Sequence, residues 1–449
     1  MVAREISAKS RSDRGREGLS DWCILVLAAV RLGCNLDDDK RQDLAENHRA
    51  LRAIMQIGDF DETNFSWKRI RDNVCLLRPE AIDEIDRLVV AQGHVLVPDA
   101  VKTMRADSFV IQTNIHYPTD SSLIVDGIRK IVERSAPLAK SRGLFGWRQH
   151  AQLLKTVKSG ARQIARIAAK KGPNYQARLK PLYVKLLKKS GRVLARAREL
   201  IAELRKVCTP ACAADPGVTE NSVELLELTT LETFVARTQQ VRAVAHRRVI
   251  KGEKVPNDEK LFSLFEPHTQ LYKRGKAGEP VQFGRLALVF EDSAGFLTQH
   301  CWLKRTQSDR DVAVSETRRL QQRFDDQVEE LSFDRGFHSP QNHEELAKLV
   351  KSPCLPKPGV KQAAAQIAAQ SAAASVTFRA AVQRHPGIES AISGLQSGNG
   401  QKRCRDRGEL GLERYLALGL LGRNLHTFGR LLIQREAPNS EAAYSQRAA

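Results

Sequence analysis

The 449-residue chain has no uninterrupted apolar run of about 18 residues, so it offers no segment with the length and hydropathy of a spanning helix. Met1 to Gly18 is polar and mixed in charge and lacks the apolar centre of a secretory signal. The expected compartment is the cytoplasm. Paired cysteines at zinc spacing are missing too. Eight cysteines are scattered, and Cys208 and Cys212 have no second ligand pair, so all eight are expected as reduced thiols. Acid is scarce: 52 Asp and Glu stand against 72 Lys and Arg, giving a formal charge of +20 and a pI of about 9.8. Such a surplus points to a polyanionic partner, because each neutralised phosphate releases condensed counterions. A basic membrane-surface protein is the competing reading, weakened by the missing apolar run.

What is present is enough for a folded core. Hydrophobic residues make up 42% of the chain, which excludes a wholly disordered protein and allows two or three domains, or one domain with a large insertion. Residues 20–100 read as helices, with Trp22 to Leu32 a buried run and apolar residues of His48–Met55 and Pro79–Ala91 at three-to-four spacing. Ser108 to Ile115 is β-branched and aromatic and stops at Pro118. Ser122 to Glu133 is helical, with Asp120 expected as its cap. Residues 140–206 hold 19 Lys or Arg against two acids, Glu199 and Glu203, at helical spacing. This is expected to be a phosphate-contacting surface, with Lys155, Lys158, Arg162, Lys185, Lys188 and Lys189 representative; the bland alternative is a solvated cationic face. Ser222 to Ile250 is helical again.

From residue 260 the pattern turns to β. Leu261 to Phe265 reads as one strand, Val281 to Phe290 as a second, and Phe296 to Leu303 as its hairpin partner across Ser293-Ala294-Gly295, with Asp292 in the turn. Asp309 to Phe324 is expected helical, then Val328 to Phe333 a strand ending at Asp334. Pro353 to Pro358 punctuates the chain before an Ala- and Gln-rich stretch, Gln362 to Ser375, and helix returns from Ile388 to Arg435.

Three acids stand out in this order. Asp107 lies in a β-type run, Asp334 at the end of another, and Glu389 opens a helical segment just after Pro386-Gly387. Two strand aspartates and a helical glutamate are the donor set for a pair of divalent cations roughly 3.5–4 Å apart, which clamps both oxygens of a phosphodiester displacement. Each acid has a structural alternative, as turn former, helix cap or dipole partner. Glu266 is the rival acid. His268 and His338 are expected as hydrogen-bonding supports. Arg335 and Arg384 flank the acids and would hold a phosphate or pair with a neighbouring carboxylate. Lys402, Arg403, Arg405 and Arg407 form a second basic cluster suited to flanking DNA.

Several stretches carry a family resemblance. These are Asp107-Ser108-Phe109-Val110-Ile111-Gln112-Thr113-Asn114-Ile115-His116-Tyr117-Pro118-Thr119-Asp120, Phe262-Ser263-Leu264-Phe265-Glu266-Pro267-His268-Thr269, and Ser332-Phe333-Asp334-Arg335-Gly336-Phe337-His338-Ser339-Pro340. Glu389-Ser390-Ala391-Ile392, Arg403 to Gly408 and Arg423-Asn424-Leu425 continue the series. In this order the chain resembles the DDE transposases of bacterial insertion sequences of the ISNCY type. The resemblance implies an α+β protein: a ribonuclease-H-like mixed sheet interrupted by a large helical insertion, with an N-terminal helical domain. The implied layout is 1–100 for DNA ends or dimerisation, 101–120 for the first strand, 121–250 for the basic insertion, 251–435 for the rest of the core and 436–449 for a polar tail. Asp107, Asp334 and Glu389 become the metal-binding triad for Mg2+ or Mn2+. The implied activity is cleavage at element ends and strand transfer into target DNA by a homodimer associated with the nucleoid. A DNA-binding descendant without catalysis, and a nuclease that cuts without joining, are the alternatives.

Overall fold

The computed structural model describes residues 18–58, 61–63, 65–170, 172–214, 219–276, 278–357 and 372–447. The chain is α+β, with a mixed six-stranded sheet, and it divides into two compact units: Ile115–Phe283, and the remainder on both sides of it. No helix among the described residues is long and apolar enough to cross a membrane.

In the first unit, α1 (Asp21–Gly33), α2 (Asp38–Asn47), α3 (Arg49–Ile54), α4 (Trp67–Val74) and α5 (Pro79–Leu96) precede a 3-10 turn, Pro98–Lys102. Ser20 caps α1 by accepting from the Cys23 N–H, and Pro79 opens α5 where its missing N–H costs nothing. These helices share one apolar core with α13 (Gly387–Ser397), α14 (Glu409–Arg447) and the sheet. These N-terminal helices thus pack in the same compact unit as the sheet. Close contact of α1 with α14 depends on Gly33 and Gly422, whose backbones touch where a Cβ on residue 422 would overlap the other helix. Asn424 of α14 ties two further elements together. Its Nδ2 donates to both carboxylate oxygens of buried Asp86 on α5 (2.9 and 3.1 Å), and its Oδ1 accepts from the Leu297 N–H at 2.8 Å.

The sheet contains β1 (Thr103–Gln112), β2 (Gln270–Lys276), β3 (Glu279–Asp292), β4 (Leu297–Trp302), β5 (Glu330–Phe333) and β6 (Ser352–Cys354). The order is β2-β3-β1-β5-β6, with β4 also on β3. β1 runs antiparallel to β3 and parallel to β5, and β5 parallel to β6. Helices α10 (Asp309–Arg323) and α11 (Pro340–Leu349) flank β5 in sequence, and α12 (Ala372–Arg384) follows β6. At the end of β1, Gln112 faces Gly284, where any Cβ would overlap the Ile111 carbonyl oxygen.

The second unit holds α6 (Asp120–Ser141), α7 (His150–Lys170), α8 (Tyr175–Ala214) and α9 (Thr219–Ala245), closed by a π turn at His246–Ile250. They bury a separate core that includes Ile128, Ile164, Leu194, Leu231 and Leu264. Thr119, not Asp120, caps α6, through reciprocal bonds with Ser122. Asp120 instead pairs with Arg248 at 2.9 Å.

Several expectations shift. Leu261–Phe265 is not a strand: the segment is irregular, with Phe262 and Leu264 buried. β2 and β6 were not foreseen, and α14 runs on through Arg447 where a tail was expected. Of the Gln362–Ser375 stretch, residues 362–371 lie outside the described residues, and the last four begin α12. The six cysteines whose side chains are described are free; Cys208 and Cys212 are outside that set.

Candidate active site

Period-two alternation decides which side chains share a face of β1. Met104, Ala106 and Ser108 are buried on one side; Arg105, Asp107, Phe109 and Ile111 face the other. That second face is covered by α13, whose Ile388, Ala391, Ile392 and Leu395 join Phe109, Ile111 and Val289 in the apolar core. Asp107, half-buried, accepts from the Ser108 N–H at 2.7 Å. In the parallel ladder the last paired residues are Ala106 and Phe333, so Asp107 is the next residue of β1 and Asp334 the first residue past the end of β5. Asp334 is exposed and begins a 3-10 turn, Arg335–Phe337.

The corner between α12 and α13 brings the third acid to this face. Pro386 precedes α13, and the Glu389 N–H donates to the Pro386 carbonyl at 3.1 Å, so Glu389 lies in the first turn, exposed. Three contacts hold the corner down. Arg105 donates from Nε to Glu291 Oε2 (2.6 Å) and from Nη1 to the Arg384 carbonyl (3.0 Å). Gly387 lies against the same guanidinium, leaving no room for a Cβ. His385 Nδ1 and Ser332 Oγ are 3.1 Å apart.

Charge around the corner is balanced. Burial holds His385 below the usual imidazole range; Asp334 and Glu389 pull it up, and Arg105 pushes it down. Burial also raises the Glu291 carboxyl, against the opposing pull of Arg105. Asp107 thus lies on the β1 face that α13 covers, Glu389 in the first turn of α13, and Asp334 just past the end of β5. They are not drawn into a single ligand shell: among the described residues no group of three or more His, Cys, Asp or Glu stands at metal-holding spacing. The donor set is nevertheless of the right chemistry for a hard divalent cation, being three carboxylates with solvent access at two of them.

The other predicted residues divide. Arg335 is exposed and has no ion pair with a described residue. Arg384 is ion-paired to Glu330, the carboxylate pairing that was one of the two roles expected of it. Arg405 is likewise committed internally, donating to Tyr415 Oη, the Leu36 carbonyl and Asn35 Oδ1, each at 2.9 Å. The backbones of Lys402 and Cys404 bracket Gln112 at the end of β1, and the side chains of Lys402, Arg403 and Arg407 are exposed. Glu266 is buried in the second unit, 3.6 Å from His268. His338 is buried, which lowers its pKa. Asp292 closes the hairpin turn, accepting from the Ala294 and Phe296 N–H groups at 2.9 Å. In the second unit Lys155, Arg162, Lys185, Lys188 and Lys189 are exposed and Lys158 half-buried. None of them has an ion-pair partner among the described residues.

Arg105, Ser332 and His385 were not foreseen. Their signal was in the spacing: Arg105 and Ser332 each sit two residues before a predicted acid on a strand, hence on its face. Set against models of protein families, curated proteins and solved structures, the chain matches none.

Proposed function

We propose that this protein is a DNA transposase with a ribonuclease-H-like core, working on phosphodiesters through Asp107, Asp334 and Glu389. The observation that carries the reading is the parallel pairing of β1 with β5, which leaves Asp107 and Asp334 each next after the last paired residue, with Glu389 in the first turn of a helix packed on β1. Further support comes from the strand order, in which an antiparallel hairpin of β3 and β4 adjoins a parallel set of β1, β5 and β6. The cationic helices supply the surface that a polyanion needs.

In this reading Asp107 and Asp334 hold Mg2+ or Mn2+ and Glu389 completes the set; the cations would neutralise charge on the attacking and leaving oxygens. The chain's own residues do the rest. Arg335, next to Asp334 and exposed, grips a phosphate oxygen. Arg105, with Gly387 against it, sets the height of α13 above β1 and so the reach of Glu389. The sequence of reactions is hydrolysis of a strand at the element end, then in-line attack of the freed 3′-hydroxyl on target DNA. Two copies would be needed to pair two ends.

The test is nicking of DNA carrying the sequences that flank the gene, with magnesium. Asp334→Ala should lose activity by on the order of a hundredfold or more while keeping its melting temperature. Equal nicking by the variant rules out the carboxylate assignment. Strand-transfer products separate a transposase from a nuclease, and inverted repeats bracketing the gene would mark a mobile element.

A further inference from the structure

The second unit displays one large apolar side chain in an unusual way. Phe145 is 85% exposed in the loop between α6 and α7, yet both its neighbours in the loop are tied down. Leu144 packs against the unit's core and its N–H donates to the Ala139 carbonyl at 2.8 Å. Trp147 is 5% exposed and part of that core, and its carbonyl lies 2.8 Å from His150 Nδ1. Gly143 (φ 64°) and Gly146 (φ 102°) take the left-handed turns that bring Leu144 and Trp147 inward and leave Phe145 outside. A pinned loop presenting a bare ring differs from an apolar residue left out by chance, because the ordering cost has already been met by its neighbours.

The surroundings are cationic. On α7, Lys155, Lys158, Arg162, Arg166 and Lys170 recur at three- and four-residue steps, a stripe along one face opposite buried Val157 and Ile164. On α8, Lys185, Lys189, Arg192 and Arg196 form a second stripe opposite buried Tyr183, Leu187 and Leu194. α7 and α8 pack on each other, and Arg196 donates to the Gly146 carbonyl at 3.3 Å, joining the second stripe to the Phe145 loop. Lys140 and Arg148, exposed, flank the loop on either side.

We propose that this unit grips DNA by its phosphates along α7 and α8 and stacks an unpaired base on the Phe145 ring. The stripes give affinity without base reading, while the ring favours DNA whose bases are available for stacking, since every base offers a π face. Unpaired DNA is the occupant that fits both a bare aromatic and a surface on which the Lys and Arg of residues 140–206 outnumber the acids nineteen to two, Glu199 and Glu203 on α8 being those two; an apolar protein partner would leave most of the cations unmatched. The inference shares with the proposed function only the premise that the partner is DNA.

The experiment measures binding of the full chain, without divalent cation, to two fluorescent oligonucleotides: a perfect duplex and the same duplex with a central unpaired bubble. Wild type should prefer the bubble. Phe145→Ala should weaken bubble binding about tenfold, the scale of one lost base–aromatic stack, and leave duplex binding unchanged; Phe145→Trp should restore it. The double variant Lys185→Glu with Lys189→Glu should weaken both DNAs. Because Phe145 is exposed, the variants should melt as wild type does. Equal bubble affinity for Phe145→Ala and wild type overturns the inference, as does equal weakening on both DNAs or no binding by wild type. Asp334→Ala tests the carboxylate reading separately: nicking equal to wild type would overturn that reading and leave the Phe145 binding result standing.

Discussion

Asp86 shows how a single buried carboxyl can set the pH response of the first unit. Burial pushes its pKa up to about 7, although the Asn424 amide donates to both of its oxygens and pulls the other way. An acid whose folded pKa is raised binds more protons folded than unfolded across the interval between the two values. Its contribution is therefore most favourable below pH ~4 and is lost as pH rises towards 7. At about 1.4 kcal/mol per unit, the loss is on the order of 4 kcal/mol before any relaxation. Asp86→Asn should remove that slope: melting curves between pH 5 and pH 8 should fall for wild type and stay flatter for the variant. Parallel slopes would mean that Asp86 does not control the effect. Asn424 itself belonged to the Arg423-Asn424-Leu425 stretch picked out in the sequence. Its position was legible there, but its task of tying α5 to β4 was not, because both partners are more than a hundred residues away.

At the scale of elements, the α12–α13 corner is where geometry depends on one missing atom. Gly387 rests on the Arg105 guanidinium, so Gly387→Ala must lift α13 or displace Arg105 from Glu291 and the Arg384 carbonyl. Nicking should fall at least about tenfold, in line with the cost of small misplacements near a reacting centre. Gly429→Ala, in α14 with open space around it, should leave nicking unchanged. An active Gly387→Ala protein would separate Glu389 from the chemistry. Elements with a strong local signal were legible: α10 and the β3–β4 hairpin match their expected spans to within a few residues. Elements whose stability comes from elsewhere were not. β2, Gln-Leu-Tyr-Lys-Arg-Gly-Lys, carries charges and glycine that speak against a strand and exists by pairing with β3. Leu261–Phe265 shows the reverse error, an apolar run whose burial comes from docking Leu264 into the helical core. Among the candidate residues, the acids stand out by type and order, whereas the partners of Arg384 and Arg405, Glu330 and Tyr415, could not be read because they are distant in sequence or unremarkable in pattern.

For the whole molecule, the division into two units makes a claim that can be measured. Residues 115–283 have their own core of Leu, Ile and Val from four helices, closed by Leu264. Expressed alone, this fragment should give a helical circular dichroism spectrum and one cooperative melt; a non-cooperative melt would mean that its core is incomplete without the rest. Its two ends lie together, with the Tyr117 and Phe283 rings edge to face at 5.4 Å. Gln112 and Gly284 are already cross-strand neighbours, so β1 and β3 are a tight turn's width apart at the point where the chain leaves for the helices and comes back. The long excursion is thus topologically a swollen hairpin: its length can grow, shrink or be exchanged for another guest while the strand bearing Asp107 keeps its register. Change within the helical guest and constancy of the strand that hosts it are two independent freedoms in one polypeptide.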